Sequence, residues 1–226
     1  MNAPESLIVS EVEYMTADML PQLSKEESSR LILELIVPLY SQPQRHYHTL
    51  SHIHHLLKLL REYRHLISSV ETVALAILFH DIVYEPSSGT NEEDSASLFI
   101  HQCEIFPAFN NFKDKVVEYI LATKSHAVKP EKDNLDLQLF LDMDMAILGS
   151  SRREYIQYCM DIRREYEFVE VAVYCRERSK FLAKTLESQR IFHAEVFFNL
   201  LENLARSNIK WEQGILLSGT LVSLES

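Results

Sequence analysis

The stretch Glu71-Thr-Val-Ala-Leu-Ala-Ile-Leu-Phe-His-Asp-Ile-Val-Tyr84 decides how this chain is read. Val73 to Phe79, with Ile82 and Val83, are apolar around most of a helical circumference, so a helix over about 71–84 belongs inside a protein. It nevertheless ends in His80 and Asp81. An ionised aspartate in such a place must be paired, because an unpaired buried carboxylate is strongly disfavoured. A cation is one of the few partners strong enough; the alternative is an internal His–Asp hydrogen bond.

Upstream, five of the ten histidines crowd into Arg45-His-Tyr-His-Thr-Leu-Ser-His-Ile-His-His55. Neutral imidazole is the commonest protein ligand for transition metals, and carboxylates complete sites that hold a reactive water. On a helix turning about 100° per residue, His48, His52 and His55 share a face with Leu59, bordering Ile53, Leu56 and Leu60. His54 and His65 read as surface histidines. Downstream, Leu141-Asp142-Met-Asp144 offers two acids about 200° apart on one helix. Asp144 shares its side with Leu137, Phe140, Leu141, Ile147 and Leu148, whereas Asp142 lies nearly opposite beside Gln138. That phase favours Asp144 as the ligand.

The surrounding chain reads as all-α. Four glycines and seven prolines in 226 residues leave little of the turn chemistry a β fold would need. Periodicity predicts helices at about 25–40, 49–67, 71–84, 91 to just before Pro107, 111–125, 134–148, 152–168, 170–187 and 191–206. Loops are expected at 86–91 and 128–133. One helical domain over 1–226 is expected, with a metal-site core at about 45–168 and C-terminal helices at 170–206 packed on it. Tyr155, Cys159, Ile162 and Tyr166 recur at helical spacing as core, as do Phe192, Val196, Phe197 and Leu200. Any of these faces could instead build a homodimer.

The formal charge of −11 argues against a nucleic-acid polymer as the main partner, since phosphate backbones are met by clustered Lys and Arg. A small phosphorylated ligand stays open, because one divalent cation and a few placed cations can hold a phosphate in an acidic protein. Three cysteines without a CxxC pair point to a reducing compartment. The first twenty residues carry acids and lack a basic start and an apolar h-region, and no segment is long and apolar enough to span a bilayer. A soluble cytoplasmic protein, away from membranes, is expected.

Taken in order, His48, His80-Asp81 and Asp144 resemble the H…HD…D pattern of the HD superfamily of metal-dependent phosphohydrolases. Arg-x-Tyr-His-x-x-x-His, Phe-His-Asp-Ile-Val-Tyr, Asn-Glu-x-x-Ser-Ala, Leu-Asp-x-Asp-x-x-Ile-Leu-Gly and Ile-Arg-x-Glu-Tyr look like one bacterial branch of it. The likeness covers about 45–208.

The resemblance implies a helical bundle in which His48, His80, Asp81 and Asp144 bind one divalent metal: Mn, Fe, Co, Ni, Mg or Zn. It implies hydrolysis of a small phosphate ester or anhydride, a nucleotide first among them, by an activated water. Asp81 or Glu92 would accept a proton. Arg45, His52, Lys124, His126 and Arg163 are the residues expected to face the substrate. Met145 stands where many relatives carry an arginine. Only His101 and His126 are available as the extra ligands of binuclear members, which argues against a second metal. Two rival readings are a non-catalytic metal- and nucleotide-binding sensor and a di-iron oxygenase of the same fold. The latter would need ligands that His52, His126 and Glu92 supply only in part.

Overall fold

The computed structural model describes residues 5–126 and 134–218, and among them there is no strand. The expected all-α class is what is found. No helix among the described residues is long and apolar enough to cross a membrane. The loop expected at 128–133 lies outside the described residues. The chain divides into two compact units, Met1–Met143 and Asp144–Ser226, with the boundary inside the helix that carries both Asp142 and Asp144.

In the first unit, α1 (Glu5–Met19), α4 (Leu50–Glu62), α6 (Asn91–Ile105) and α7 (Lys113–Ala122) all pack against α5 (Val70–Phe79). This enclosure explains why α5 has no polar face: Thr72 to Phe79 are all buried. Phe79 meets Phe99 and Phe109 with ring centroids 5.0 and 6.4 Å away, at favourable edge-on angles. α1 was not expected. Its buried residues, Val12, Met15, Thr16 and Met19, follow helical spacing but sit among acids that obscure the stripe.

The N-terminus of α5 is capped from far along the chain. Asp136, on α8 (Leu135–Met145), accepts hydrogen bonds from the Ser68 and Ser69 amides, both at 2.8 Å, with its two carboxylate oxygens. A carboxylate there satisfies the free amide of the N-cap Ser69 and that of Ser68 before it, and complements the positive end of the helix dipole.

The helix expected at 25–40 is real but interrupted. α2 (Lys25–Arg30) runs into a π-helical turn at Leu31–Ile36 and resumes as α3 (Val37–Tyr40). Pro38 has no amide hydrogen and its ring crowds the preceding turn, and the wider π turn accommodates it. Tyr40 then reaches α5, donating to the Leu78 carbonyl at 3.2 Å.

In the second unit, a 3-10 turn at Ala146–Gly149 is followed by α9 (Arg152–Glu165), α10 (Val171–Glu187) and α11 (Glu195–Ser218). The helix expected at 134–148 thus stops at Met145. α11 lies so close to the 3-10 turn that a Cβ on Gly149 would come within 2.6 Å of the Leu201 Cβ. Asn208 donates to the Leu148 and Ser150 carbonyls at 2.8 and 2.9 Å. α11 runs twelve residues past the expected 206. At its other end the amides of Ile191 and Phe192 bond the buried Glu202 carboxylate, which delays the helix start to Glu195. Leu200, expected in the core, is 57% exposed.

A polar cluster sits inside this unit. Arg178 Nε and Nη2 donate to Glu212 at 2.8 and 3.2 Å, Nη2 also reaches the Tyr158 hydroxyl, and the Tyr155 hydroxyl donates to the same carboxylate. Burial first, and then the Glu212 charge, pushes Tyr155 and Cys159 well above their usual pKa ranges. Burial also raises Tyr158 and Tyr174, against the opposing pull of Arg178. In the first unit burial pushes Tyr119 up to about 12, although its hydrogen bond to Asn134 works the other way.

These tyrosines stay protonated in the folded chain at a pH where an unfolded tyrosine, with pKa about 10, ionises. The unfolded state then binds fewer protons, so stability falls as pH rises from about 10 towards 12. In an absorbance titration of phenolate, these four of the ten tyrosines should ionise at higher pH than the rest, or together with unfolding. Smooth ionisation of all ten with the fold intact would contradict their burial.

Candidate metal centre

The two ligand segments come from the start of α4 and the end of α5. The histidine run does not place His48 on the α4 helix, contrary to the sequence expectation. Thr49 is the N-cap with extended backbone (φ −108°, ψ 179°), so His48 lies just outside the helix and His52 inside its first turn. His48 packs its ring on Tyr84 at 4.4 Å, and the His48 and His52 rings are 6.0 Å apart. His55 is exposed, as is His65, while His54 binds Glu11 at 2.6 Å.

α5 ends at Phe79, not at 84 as expected, and His80 is its C-cap. The reason lies in the backbone that follows. Arg45 Nη1 donates to Asp81 O at 2.8 Å and Arg45 Nη2 to Ile82 O at 2.9 Å. Ser95 Oγ donates to Val83 O and accepts from the Val83 amide, at 3.3 and 3.1 Å. Gln44 donates to Tyr84 O at 3.2 Å, and the Asn91 amide both donates to Glu85 O and accepts from Glu85 N, each at 3.0 Å. Every carbonyl from 81 to 85 therefore accepts from a side chain, which replaces the helical ladder. The Asn-Glu-x-x-Ser-Ala motif finds its physical meaning here, since Asn91 and Ser95 hold this segment against α6.

Three ligand atoms converge at this corner. His80 Nε2 lies 3.0 Å from Asp81 Oδ2 and 3.4 Å from His52 Nε2, and His48 Nε2 is 3.9 Å from the same Asp81 oxygen. The ligand atoms of His52, His80 and Asp81 all lie within 4.8 Å of one another. His80 Nδ1 is 2.9 Å from Ile77 O, and a carbonyl can only accept, so Nδ1 carries the proton. In neutral His80 the Nε2 lone pair then faces Asp81 and His52. A backbone carbonyl on the far ring nitrogen is the usual way a metal-binding histidine is oriented.

The donor set fits a divalent ion. Two ligands about 2.1 Å from an ion stand about 3.0 Å apart in octahedral and about 3.4 Å apart in tetrahedral arrangement. The observed separations of 3.0 and 3.4 Å fall within that range, short enough for the atoms to share one ion. His80 is 1% and His52 4% exposed, so a cation here would be largely shielded from water. This group could hold a metal ion. His52, expected to face substrate, lies within the group that could hold a metal ion. The signal for it was its place beside the apolar stripe of α4.

The two downstream acids are buried the other way round from the expected phase. Asp142 is 1% exposed, whereas Asp144 is only half-buried. α8 buries Asp136, Leu137, Leu139, Phe140, Leu141, Asp142 and Met143, so no single apolar face exists from which to take a phase. Ile147 and Leu148, which were counted in that phase, sit on the 3-10 turn instead. Asp144 belongs to the second unit.

Arg45 is 5% exposed and its guanidinium turns to backbone, reaching His48 O at 3.0 Å in addition to Asp81 O and Ile82 O. Glu92 is in the first turn of α6, with Lys124 Nζ 3.7 Å away. Lys124 also donates to Glu93 at 2.5 Å and to Gly89 O at 2.8 Å, tying the end of α7 to the loop before α6. The hydrogen bond between them raises the Lys124 pKa and lowers that of Glu93. His126 takes a left-handed backbone (φ 49°), and its amide donates to Ala122 O at 2.9 Å as α7 ends. Arg163 donates to Tyr166 O at 2.5 Å and Val169 O at 3.2 Å, closing the turn between α9 and α10. Its guanidinium stacks on Tyr174 at 4.9 Å.

Comparison with protein-family models, with curated proteins and with solved structures finds no match for this chain.

Proposed function

We propose that this chain is a metal-dependent phosphohydrolase of the HD type, acting on a small phosphate ester or anhydride, with nucleotides the first class to test. The observation that carries the reading is the convergence of His52, His80 and Asp81, with His80 Nδ1 tied to Ile77 O so that Nε2 faces the other two. His48 Nε2, 3.9 Å from the Asp81 carboxylate, would be a further ligand, and Asp144 keeps its place as the expected downstream one.

When bound, a divalent ion would polarise a phosphoryl oxygen and lower the pKa of water. The chain's own residues do the rest. Asp81, 19% exposed, offers its second carboxylate oxygen as proton acceptor, and Glu92, 26% exposed, is the alternative acid. Lys124, 45% exposed, keeps its charge and is the cation available to a phosphate. The cytoplasm suits such an enzyme, because Cys103, Cys159 and Cys175 are all free thiols.

A panel of phosphorylated metabolites tests the reading, with Mn²⁺ or Co²⁺ added and phosphate and pyrophosphate measured separately. At least one compound should be hydrolysed, and a chelator should stop the reaction. Tight nucleotide binding without turnover under any metal would replace the enzyme with a binding module.

A further inference from the structure

We propose that Arg45 is the positioning residue of this site, fixing the His48 and Asp81 segments relative to each other rather than meeting a phosphate. The proposal rests on the metal reading of the site, but its geometry stands independently. One guanidinium donates through Nη1 to both His48 O and Asp81 O, at 3.0 and 2.8 Å, and through Nη2 to Ile82 O at 2.9 Å. The two ligand segments are 33 residues apart in sequence and meet on a single nitrogen.

The guanidinium is itself held. Its centre lies 4.8 Å from the Tyr40 ring and 5.3 Å from the Tyr84 ring, and Nε reaches Gln42 Oε1 at 3.4 Å. Tyr84 also carries the ring on which His48 packs, so the same tyrosine connects Arg45 to the first ligand. Tyr40 is anchored through Leu78 O on the helix that presents His80. Displacement of Arg45 therefore loosens His48 and Asp81 at once, whereas His80 keeps its own anchor at Ile77.

Lysine cannot replace this arrangement. Its ammonium keeps the charge but lacks the rigid planar fork that reaches three carbonyls while lying between two rings. Changes to groups that orient metal ligands typically weaken metal binding by about 10–100-fold.

The test compares Arg45→Lys with Arg206→Lys, a matched control in the other unit. Arg206 likewise clasps three carbonyls, those of Leu186, Ser188 and Gln189, and also donates to Glu202 at 2.7 Å. Two quantities are read: Co²⁺ affinity by calorimetry, and the imidazole ¹H–¹⁵N resonances of the metal-free protein. Arg45→Lys should weaken Co²⁺ binding about 10–100-fold and shift the His48 resonances, while Arg206→Lys does neither. Gln42→Ala, which removes only the Nε partner, is the milder second variant and should move both readings the same way by less.

Unchanged His48 resonances in both Arg45→Lys and Gln42→Ala would overturn the proposal, as would wild-type Co²⁺ affinity in both. If the wild-type chain takes up no Co²⁺ but His48 still shifts only in the Arg45 and Gln42 variants, the metal reading fails and the positioning role stands.

Discussion

Arg178→Met should destabilise the protein by about 3–5 kcal/mol, the usual result of removing one partner from a buried ion pair. Arg178 and Glu212 are 10% and 4% exposed, so the carboxylate left behind cannot turn to water without opening the helices around it. For a chain of this length each kcal/mol is worth about 2–4 °C in Tm, so the fall should be plain in thermal unfolding. The double variant Arg178→Met with Glu212→Leu removes both charges and should recover most of the loss. No recovery in the double variant would mean that the arginine stabilises mainly by packing its stem and face on Tyr158 and Phe181, each 5.3 Å away.

The second large effect is on bound metal. Purified protein should carry close to one divalent ion per chain, and His80→Ala should weaken its binding by more than about 100-fold, exceeding the cost of disturbing an orienting group. The substitution removes a ligand atom from between Asp81 and His52. His65→Ala, at an exposed position, should leave the metal content unchanged. Elemental analysis of dialysed protein gives the answer, and full retention in His80→Ala would remove this corner as the metal site.

Much of the site was legible in the sequence because burial and charge conflict visibly there. An all-apolar helix ending in His80-Asp81 could be nothing but an internal element carrying something polar at its end, and α5 is that element. Periodicity also found most of the helices.

What escaped depends on partners distant in sequence. The end of α5 could not be placed because Arg45, Gln44, Asn91 and Ser95 take the carbonyls of 81–85, and Ile82-Val83 reads locally as more helix. Arg45 and Arg163 were read as cations for a phosphate, yet a guanidinium looks the same in sequence whether it meets an anion or a row of carbonyls. The deeper burial of Asp142 than of Asp144 has another cause. Phase arguments need one wet face and one dry face, and α8 has no such division.

The capping of α5 by Asp136 bears on how the protein is made. A chain leaves the ribosome N-terminus first, so His48, His52, His80 and Asp81 emerge well before the carboxylate that caps the helix, which follows 67 and 68 residues after the serines it binds. Phe140, whose ring stands edge-on to His80 at 5.8 Å, emerges later still. Contacts of such long sequence separation are the slow ones to close. During synthesis α5, the helix whose residues 72–79 are all buried, must therefore wait, uncapped, for α8. The candidate ligand corner is finished late, so a cation held in its mature geometry would enter only after α8 has joined this unit.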